Sequence, residues 1–484
     1  MTQHKYDRVR QHIRHTIHQG HYQADDKLPS IRHLSEQLEV SRNTVIRAYQ
    51  ELEAAGMVYA VAKSGYRVKA SPEQIGDTRP PSEVDLLSVS KEFLTYDEGS
   101  ALLPMGSAHP YTDTTGIRSL YATVARHSRK QSHIPCHYQL PPGNEQLLKQ
   151  ITKISHDRGV MASRESIAIT HGAQQAISLA LQAVTHPGDI VAVESPCYFG
   201  NLLLLESLGL QVIEIPSCNR TGVEPDALKQ ALAQWQIKAI ILTPNFANPT
   251  GATLPLDKRQ ALLEISRDIP IIEDDVFGAL HFDQPIDSLY SLDPSGRVIY
   301  VNSLSKTLDS RLRIGWIAST RYQPQIEKRL ISDNMGSLNL IQSGLADFLS
   351  TGKYRLHLNK MCRLYQSNLK QFSQLLLHAL NQYPELSGRY HLTQPDGAFI
   401  NWLTLPDDFD SYAFYQTAKQ QRISVLPGTV FGTADQYRHC LRLCFAHFQN
   451  NRQWHQGIAQ FAAMIARQVN PRAKTAIPLA IENQ

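Results

Sequence analysis

Lys306 has the setting in this chain that most plainly points to covalent chemistry. It closes the stretch Val298-Ile299-Tyr300-Val301-Asn302-Ser303-Leu304-Ser305-Lys306, in which an apolar, β-branched run gives way to a polar loop, and Arg313 follows a little further on. The run reads as a buried strand that delivers the loop. Burial of an ammonium lowers its pKa, and a lysine so treated becomes an amine nucleophile able to form a Schiff base with an aldehyde. An isolated Ser-x-x-Lys is more often a solvated surface loop, so the tetrapeptide alone leaves both readings open.

Other apolar runs come before it: Ile167-Ala168-Ile169, Ile190-Val191-Ala192-Val193, Gln211-Val212-Ile213-Glu214, Ala239-Ile240-Ile241-Leu242 and Pro270-Ile271-Ile272. Continuous apolar strands separated by amphipathic helical stretches predict a mostly parallel sheet covered on both faces, with ligands at the carboxyl ends of the strands. Each suggestive motif falls at such an end. Thr170-His171-Gly172-Ala173-Gln174 is a small-residue turn opening a helix, where the N–H groups of Gly172, Ala173 and Gln174 form a ready anion site; such turns are also common without a ligand. Thr243-Pro244-Asn245-Phe246-Ala247-Asn248-Pro249-Thr250-Gly251 and Glu273-Asp274-Asp275 follow the next strands. An acid at a buried strand end is ordinarily a cap or an ion-pair partner, and it can also keep a pyridine nitrogen protonated.

A chain of 484 residues exceeds one typical core and predicts two or more domains. With 42% hydrophobic residues and no run near the ~20 apolar residues of a membrane span, the expectation is a soluble protein. Met1 to Arg14 lacks the apolar core of a signal peptide, so the expected location is the cytoplasm. Cys136, Cys197, Cys218, Cys362, Cys440 and Cys444 include no C-x-x-C pair, which predicts neither a metal site nor a disulfide framework.

The formal net charge is +4; residues 1–70 hold 11 Lys+Arg against 7 Asp+Glu, and the rest of the chain holds 37 of each. A basic lobe on a neutral body is what attraction to nucleic acid requires. In this lobe Tyr6, Val9, Ile13 and Ile17 recur at helical spacing, and Gly20 stops the helix. A second helix follows Leu28-Pro29-Ser30, with Ser30 as N-cap and Ile31, Leu34 and Leu38 inward; Ser41 caps a third, which buries Val45, Ala48, Tyr49 and Leu52 and ends at Gly56. Met57 to Ala62 and Tyr66 to Lys69 read as short strands joined through Lys63-Ser64-Gly65. This is the order of a winged helix-turn-helix, which presents the start of its third helix to base edges: Ser41, Arg42, Asn43 and Thr44, with Arg47 a turn later. Arg reads guanine and Asn adenine, while Ser and Thr hydroxyls suit phosphate. Arg32 would reach the backbone or an adjacent base. A small helical domain that binds protein is the competing reading of the pattern.

The runs Leu28-Pro29-Ser30-Ile31-Arg32-x-Leu34, Val40-Ser41-Arg42-Asn43-Thr44-Val45, Ala48-Tyr49-x-x-Leu52-x-x-x-Gly56 and Ser64-Gly65-Tyr66-x-Val68 closely resemble the GntR-type winged-helix domain of bacterial regulators, over nearly all of residues 5–70. The resemblance implies binding to a double-stranded DNA operator through Arg32, Ser41, Arg42, Asn43 and the wing glycine Gly65. Ser71 to Glu83, with Pro72, Gly76, Pro80 and Pro81, has neither hydrophobic period and reads as a semi-stiff linker, extended to residue 104 by a loosely packed arm. The expected division is a DNA-binding domain over 1–70, a linker and arm over 71–104, and a large α/β domain over 105–470.

In chain order the glycine turn, Asn-Pro-Thr-Gly, the strand-end Asp and Ser-x-x-Lys resemble fold-type I aminotransferases dependent on pyridoxal 5'-phosphate (PLP), over roughly residues 105–465. The resemblance implies a parallel sheet with a smaller C-terminal lobe, an internal aldimine on Lys306, Asp274 on the ring nitrogen and Asn248 on the ring hydroxyl. It assigns the phosphate to Gly172, Ala173, Gln174, Ser303 and Arg313, with Tyr198 against the ring. Arg442, in Leu441-Arg442-Leu443, would grip a substrate carboxylate, a task suited to its bidentate fork; Tyr138 would reach the phosphate of a partner subunit. The chain departs from the family at Val276 and Phe277, where a tyrosine usually donates to the ring hydroxyl. That puts efficient turnover in question more than PLP binding.

A GntR-type winged helix linked to an aminotransferase-like domain resembles the MocR regulators. The resemblance implies a PLP-binding transcription factor, a domain-swapped homodimer that senses an amine, an amino acid or a B6 vitamer through external aldimine formation at Lys306. A working aminotransferase with an accessory DNA domain is the alternative, and a DNA-binding scaffold whose large domain only dimerises comes last.

Overall fold

A computed structural model of the chain describes residues 5–18, 22, 26–54, 57–61, 65–69, 78–84, 91–92, 101–130, 133, 138–334 and 338–470. The first elements are α1 (Lys5–His18), α2 (Ile31–Gln37), α3 (Arg42–Ala54), β1 (Val58–Val61) and β2 (Gly65–Val68), the two strands pairing antiparallel with Val58 opposite Val68. Ser30 Oγ accepts from the His33 N–H and Ser41 Oγ from the Thr44 N–H, both at 3.2 Å, each cap contributing about 1 kcal/mol. Val9, Ile13, Leu34, Val45, Ala48, Tyr49 and Leu52 close one small core. Tyr49 also stacks on Tyr66 of the wing, with ring centroids 4.5 Å apart. Gly20, Gly56, Lys63 and Ser64 lie outside the described residues.

After the short strand β3 (Leu103–Pro104), the large sheet is built from β4 (Ile167–Thr170), β5 (Ile190–Ser195), β6 (Gln211–Cys218), β7 (Gly222–Val223), β8 (Ile237–Leu242), β9 (Ile271–Asp274), β10 (Val298–Ser303) and β11 (Gly315–Ala318). Their order is β4-β11-β10-β9-β8-β5-β6-β7. The contacts of β7 and β11 are antiparallel and the remaining pairs parallel. Alternation along β10 shows why the strands are apolar throughout: Ile299 and Val301 enter one core layer, and Val298 and Tyr300 enter layers on the opposite face. Parallel pairing aligns strand ends, and Val301 lies opposite Asp274.

The C-terminal lobe carries β12 (His391–Leu392), β13 (Ile400–Thr404), β14 (Ile423–Ser424), β15 (Leu426–Pro427) and β16 (Cys440–Cys444), and its sheet runs β12-β13-β16-β15. β14 pairs with β3 instead. The stretch 101–104 is therefore not the loose arm expected from its position. The Leu102 and Met105 N–H groups donate to the carbonyls of Arg422 and Ser424 at 2.7 and 3.1 Å. Leu103 is fully buried over Gly457, where an added Cβ would lie 2.7 Å from it. Among the described residues no helix is long and apolar enough to cross a membrane, and no group of three His, Cys, Asp or Glu side chains is arranged to hold a metal ion.

Candidate functional site

The Lys306 loop is braced from within. Ser303 Oγ lies 2.8 Å from Ser305 Oγ and 2.9 Å from the Ile314 carbonyl, and the Ser305 N–H donates back to Ser303 Oγ at 3.0 Å. The Ser303 hydroxyl is thus engaged in holding the turn, with Ser305, which sequence reasoning passed over, as its neighbour. Lys306 is half-buried and opens into a cleft lined also by Gly106, Ala108, His109, Asn248 and Arg442. Its Nζ donates to the Ala108 carbonyl at 2.8 Å and lies 5.6 Å from the centroid of the Phe277 ring. Burial, and after it the charge of Arg442, lowers the ammonium's pKa to about 8.

Gly172 stands between β4 and the helix Ala173–Val184 with φ +84°, a conformation open to glycine. A Cβ here would lie 2.4 Å from Arg313 Nη2, so the turn and the guanidinium meet only because the side chain is missing. Arg313 Nη2 donates to the His171 carbonyl at 3.2 Å. The N–H groups of Ala173 and Gln174 belong to the helix's first turn and have no acceptor within the helix. Donors and positive charge gather at one point, a setting for an anion.

Asp274 ends β9 and is buried. The one hydrogen bond to its carboxylate among the described residues comes from the Val276 N–H at 3.3 Å. Burial first, and then neighbouring Asp275, raises its pKa to about 7. Asp275 is spent on structure: it accepts from Asn245 Nδ2 at 2.6 Å and Tyr300 Oη at 2.7 Å, with Arg158 Nη2 at 3.7 Å. Residue type and strand-end position alone do not separate these two acids; the family resemblance pointed to Asp274. Arg442, central in β16 opposite Trp402, is buried; Nη1 donates to Asn248 Oδ1 at 3.4 Å and Nη2 to the Gly106 carbonyl. Tyr198 lines the same cleft and lies against the helix Phe199–Ser207, where a Cβ on Gly200 would come within 2.5 Å of its ring.

The structure thus brings Lys306, Asn248, Tyr198 and Arg442 to one cleft, sets Asp274 at a strand end beside it, and pairs Arg313 with the Gly172 turn. Tyr138 does not line the cleft and is 75% exposed. Phe277, where the family has a phenol nearby, is buried and packs edge-on against Phe399 at 5.4 Å. Sequence reasoning missed His109, whose Nδ1 lies 3.0 Å from Ser310 Oγ and whose pKa falls to about 4 through burial and then the charges of Lys306 and Arg442. The small-residue run Gly106-Ser107-Ala108 just before it was the signal available.

In the N-terminal domain Ser41, Arg42, Asn43 and Arg47 are exposed on one end of α3. The Ser41 and Thr44 hydroxyls meet at 2.8 Å, within the helix cap. Arg47 is held over the Tyr6 ring at 4.2 Å. Arg32 is exposed and paired with Glu36 at 3.1 Å. Gly65 opens the second wing strand with φ +97°.

Two family models match the chain: the gntR family of bacterial regulatory proteins over residues 5–68 and aminotransferase class I and II over residues 110–453. The HTH-type transcriptional regulator YjiR of Escherichia coli is 35% identical over 88% of this chain and 92% of its own length. YdcR of the same organism is 30% identical over 97% and 99%, and NorG of Staphylococcus aureus is 28% identical over 88% and 96%. Among solved structures, LysN, the α-aminoadipate aminotransferase of Thermus thermophilus, is 24% identical and covers 79% of this chain and 94% of its own, with a TM-score of 0.68. A multiple-substrate aminotransferase of Thermococcus profundus is 21% identical and covers 81% and 96%, with a TM-score of 0.70. These enzymes share the fold of the large domain, whereas the regulators share both domains. The chain belongs to the MocR type of HTH transcriptional regulator, a gntR-family DNA-binding domain joined to a class I and II aminotransferase domain.

Proposed function

We propose that this regulator holds PLP in the cleft and adjusts its grip on an operator when a small primary amine, an amino acid or a B6 vitamer reaches Lys306. The observation that carries the reading is Asp274, a buried carboxylate with a single long hydrogen bond among the described residues. Such a group is costly to bury without a cation and suits a protonated ring nitrogen. Gly172, Ala173, Gln174 and Arg313 suit the phosphate, with Ser303 and Ser305 supporting the loop beside it. Asn248 would donate to the ring hydroxyl and Tyr198 would lie against the ring. When bound, PLP supplies an aldehyde that exchanges one primary amine for another and a ring that withdraws electrons.

The chain's own part is binding and proton placement. With a pKa of about 8, Lys306 has roughly a quarter of its amine neutral at pH 7.5, against about a thousandth for an ordinary lysine. Arg442 would exchange the Gly106 carbonyl for an effector carboxylate, gaining a charge-assisted pair. Phe277 offers a π face where the family places a phenol, which favours sensing over turnover. Exposed Tyr138 suits a head-to-tail, domain-swapped homodimer in which it reaches the partner subunit's cleft, and the setting for operator binding is the cytoplasm. The test is the visible absorbance of the purified full chain with PLP. The reading expects a band that Lys306→Ala removes and that a panel of amines shifts; absence of the band from wild type refutes it. Sustained oxo-acid release from an amino donor would favour the aminotransferase alternative.

A further inference from the structure

The stretch 78–84 is a linker by composition, yet it is fastened to both lobes of the large domain. Ser82 and Val212 exchange two backbone hydrogen bonds at 2.9 Å, adding a residue of the linker to β6, and Val84 is buried in the same core layer as Val212. From there the linker touches the C-terminal lobe: Arg79 Nη1 donates to Gln436 Oε1 at 3.4 Å and Ser82 Oγ to Thr433 Oγ1 at 3.5 Å.

Thr433 and Gln436 are themselves held by buried Glu214 of β6. Its carboxylate accepts from Thr433 Oγ1 at 2.6 Å and from Gln436 Nε2 at 2.9 and 3.0 Å. The contact is close because Gly432 has no side chain; a Cβ there would lie 2.6 Å from Gln436 Nε2. Glu214 also accepts from Ser195 Oγ at 2.9 Å, and Ser195 lies 2.7 Å from Tyr437 Oη. Ser195 begins the turn that carries Tyr198 into the cleft, and within that turn the Cys197 N–H donates to the Phe431 carbonyl at 2.8 Å.

We infer that Glu214 is a positioning residue that reports the state of the cleft to the linker. The inference rests on the cofactor reading above and names its regulation. Arg442 belongs to the C-terminal lobe, so a carboxylate bound there acts on the lobe that carries Thr433 and Gln436. The backbone pair ties Ser82 to β6, and the 3.4 and 3.5 Å contacts of Arg79 and Ser82, long enough for a small lobe movement to break, brace that pair; without them it opens more often and frees the Ser82 N–H to exchange. The two arrangements then differ in linker contacts, which is the differential interaction a signal needs.

Aminooxyacetate, which carries both an oxyamine and a carboxylate, is the probe, and hydrogen exchange of the full chain with PLP is the readout. In wild type the probe should shift the visible spectrum and change exchange at the Ser82 and Thr433 amides severalfold. Glu214→Gln should speed exchange at both amides about tenfold without the probe and abolish the probe-dependent change, with the spectral titration within about twofold of wild type. Should Glu214→Gln fail to fold, the double variant Arg79→Ala/Ser82→Ala, which leaves the backbone pair, should keep the spectral titration and lose the probe-dependent change at Ser82. A change of wild-type size in either variant overturns the inference, as does a wild-type spectral response with no change at either amide. If wild type shows no spectral response at all, the cofactor reading has failed and the inference falls with it.

Discussion

Asp274→Asn should stabilise the apoprotein while weakening its hold on PLP. The replacement is isosteric, and its amide oxygen can still accept the Val276 N–H that now lies 3.3 Å from the carboxylate. Burial raises the carboxyl from 3.8 to about 7, so between those values the folded chain binds a proton that the unfolded chain has released. Stability conferred at this site is therefore lost as pH rises from 3.8 to 7, and the penalty is complete above 7. A gap of ~3 pKa units corresponds to a penalty on the order of 4 kcal/mol that asparagine does not incur. Urea unfolding of the full apoprotein, followed by fluorescence from pH 4 to 8, should show the variant more stable by a few kcal/mol at pH 8 and converging with wild type near pH 4. With the charged hydrogen bond to the ring nitrogen gone, PLP affinity should fall about 10- to 150-fold, from ~1.5–3 kcal/mol. A variant less stable than wild type at pH 8, or a difference that ignores pH, would refute the reasoning.

Lys306→Met should likewise stabilise the apoprotein at pH 7, by about 3 kcal/mol. The cost of burying that ammonium is present below its folded pKa of about 8 and disappears as pH rises toward 10.5, so thermal midpoints of the two proteins should converge there. Gly172→Ala should lower apoprotein stability by about 1–3 kcal/mol through its positive φ and also weaken PLP binding by displacing Arg313; unchanged affinity in equilibrium titration would contradict the cradle. Arg42→Ala or Asn43→Ala should cost about 1–3 kcal/mol of operator affinity and relax specificity at one base pair, measured by fluorescence anisotropy at fixed salt.

The large sheet was legible because buried parallel strands are written as unbroken apolar runs, and each polar motif marks the point where a strand leaves the core. Ser30 and Ser41 were legible for the same local reason, since an N-cap is a side chain bonding to its own helix. What stayed hidden depends on tertiary neighbours. The resemblance singled out Asp274, but the task of its neighbour Asp275 appears only with the packing of Asn245, Tyr300 and Arg158 around it. His109 arrives in the cleft because β3 pairs with β14, a contact between residues far apart in sequence. The linker's attachment at Ser82 was invisible for a different reason: backbone pairing at a sheet edge leaves no trace in side-chain pattern.

The central claim is that Lys306 serves signalling. Operator affinity of the full chain should be measured with PLP, with and without an amine that shifts its spectrum, in wild type and in Lys306→Ala. The account predicts an amine-dependent change in the affinity or footprint of wild type that the variant loses. The same change in Lys306→Ala, or a spectral shift in wild type that leaves operator binding untouched, would contradict it.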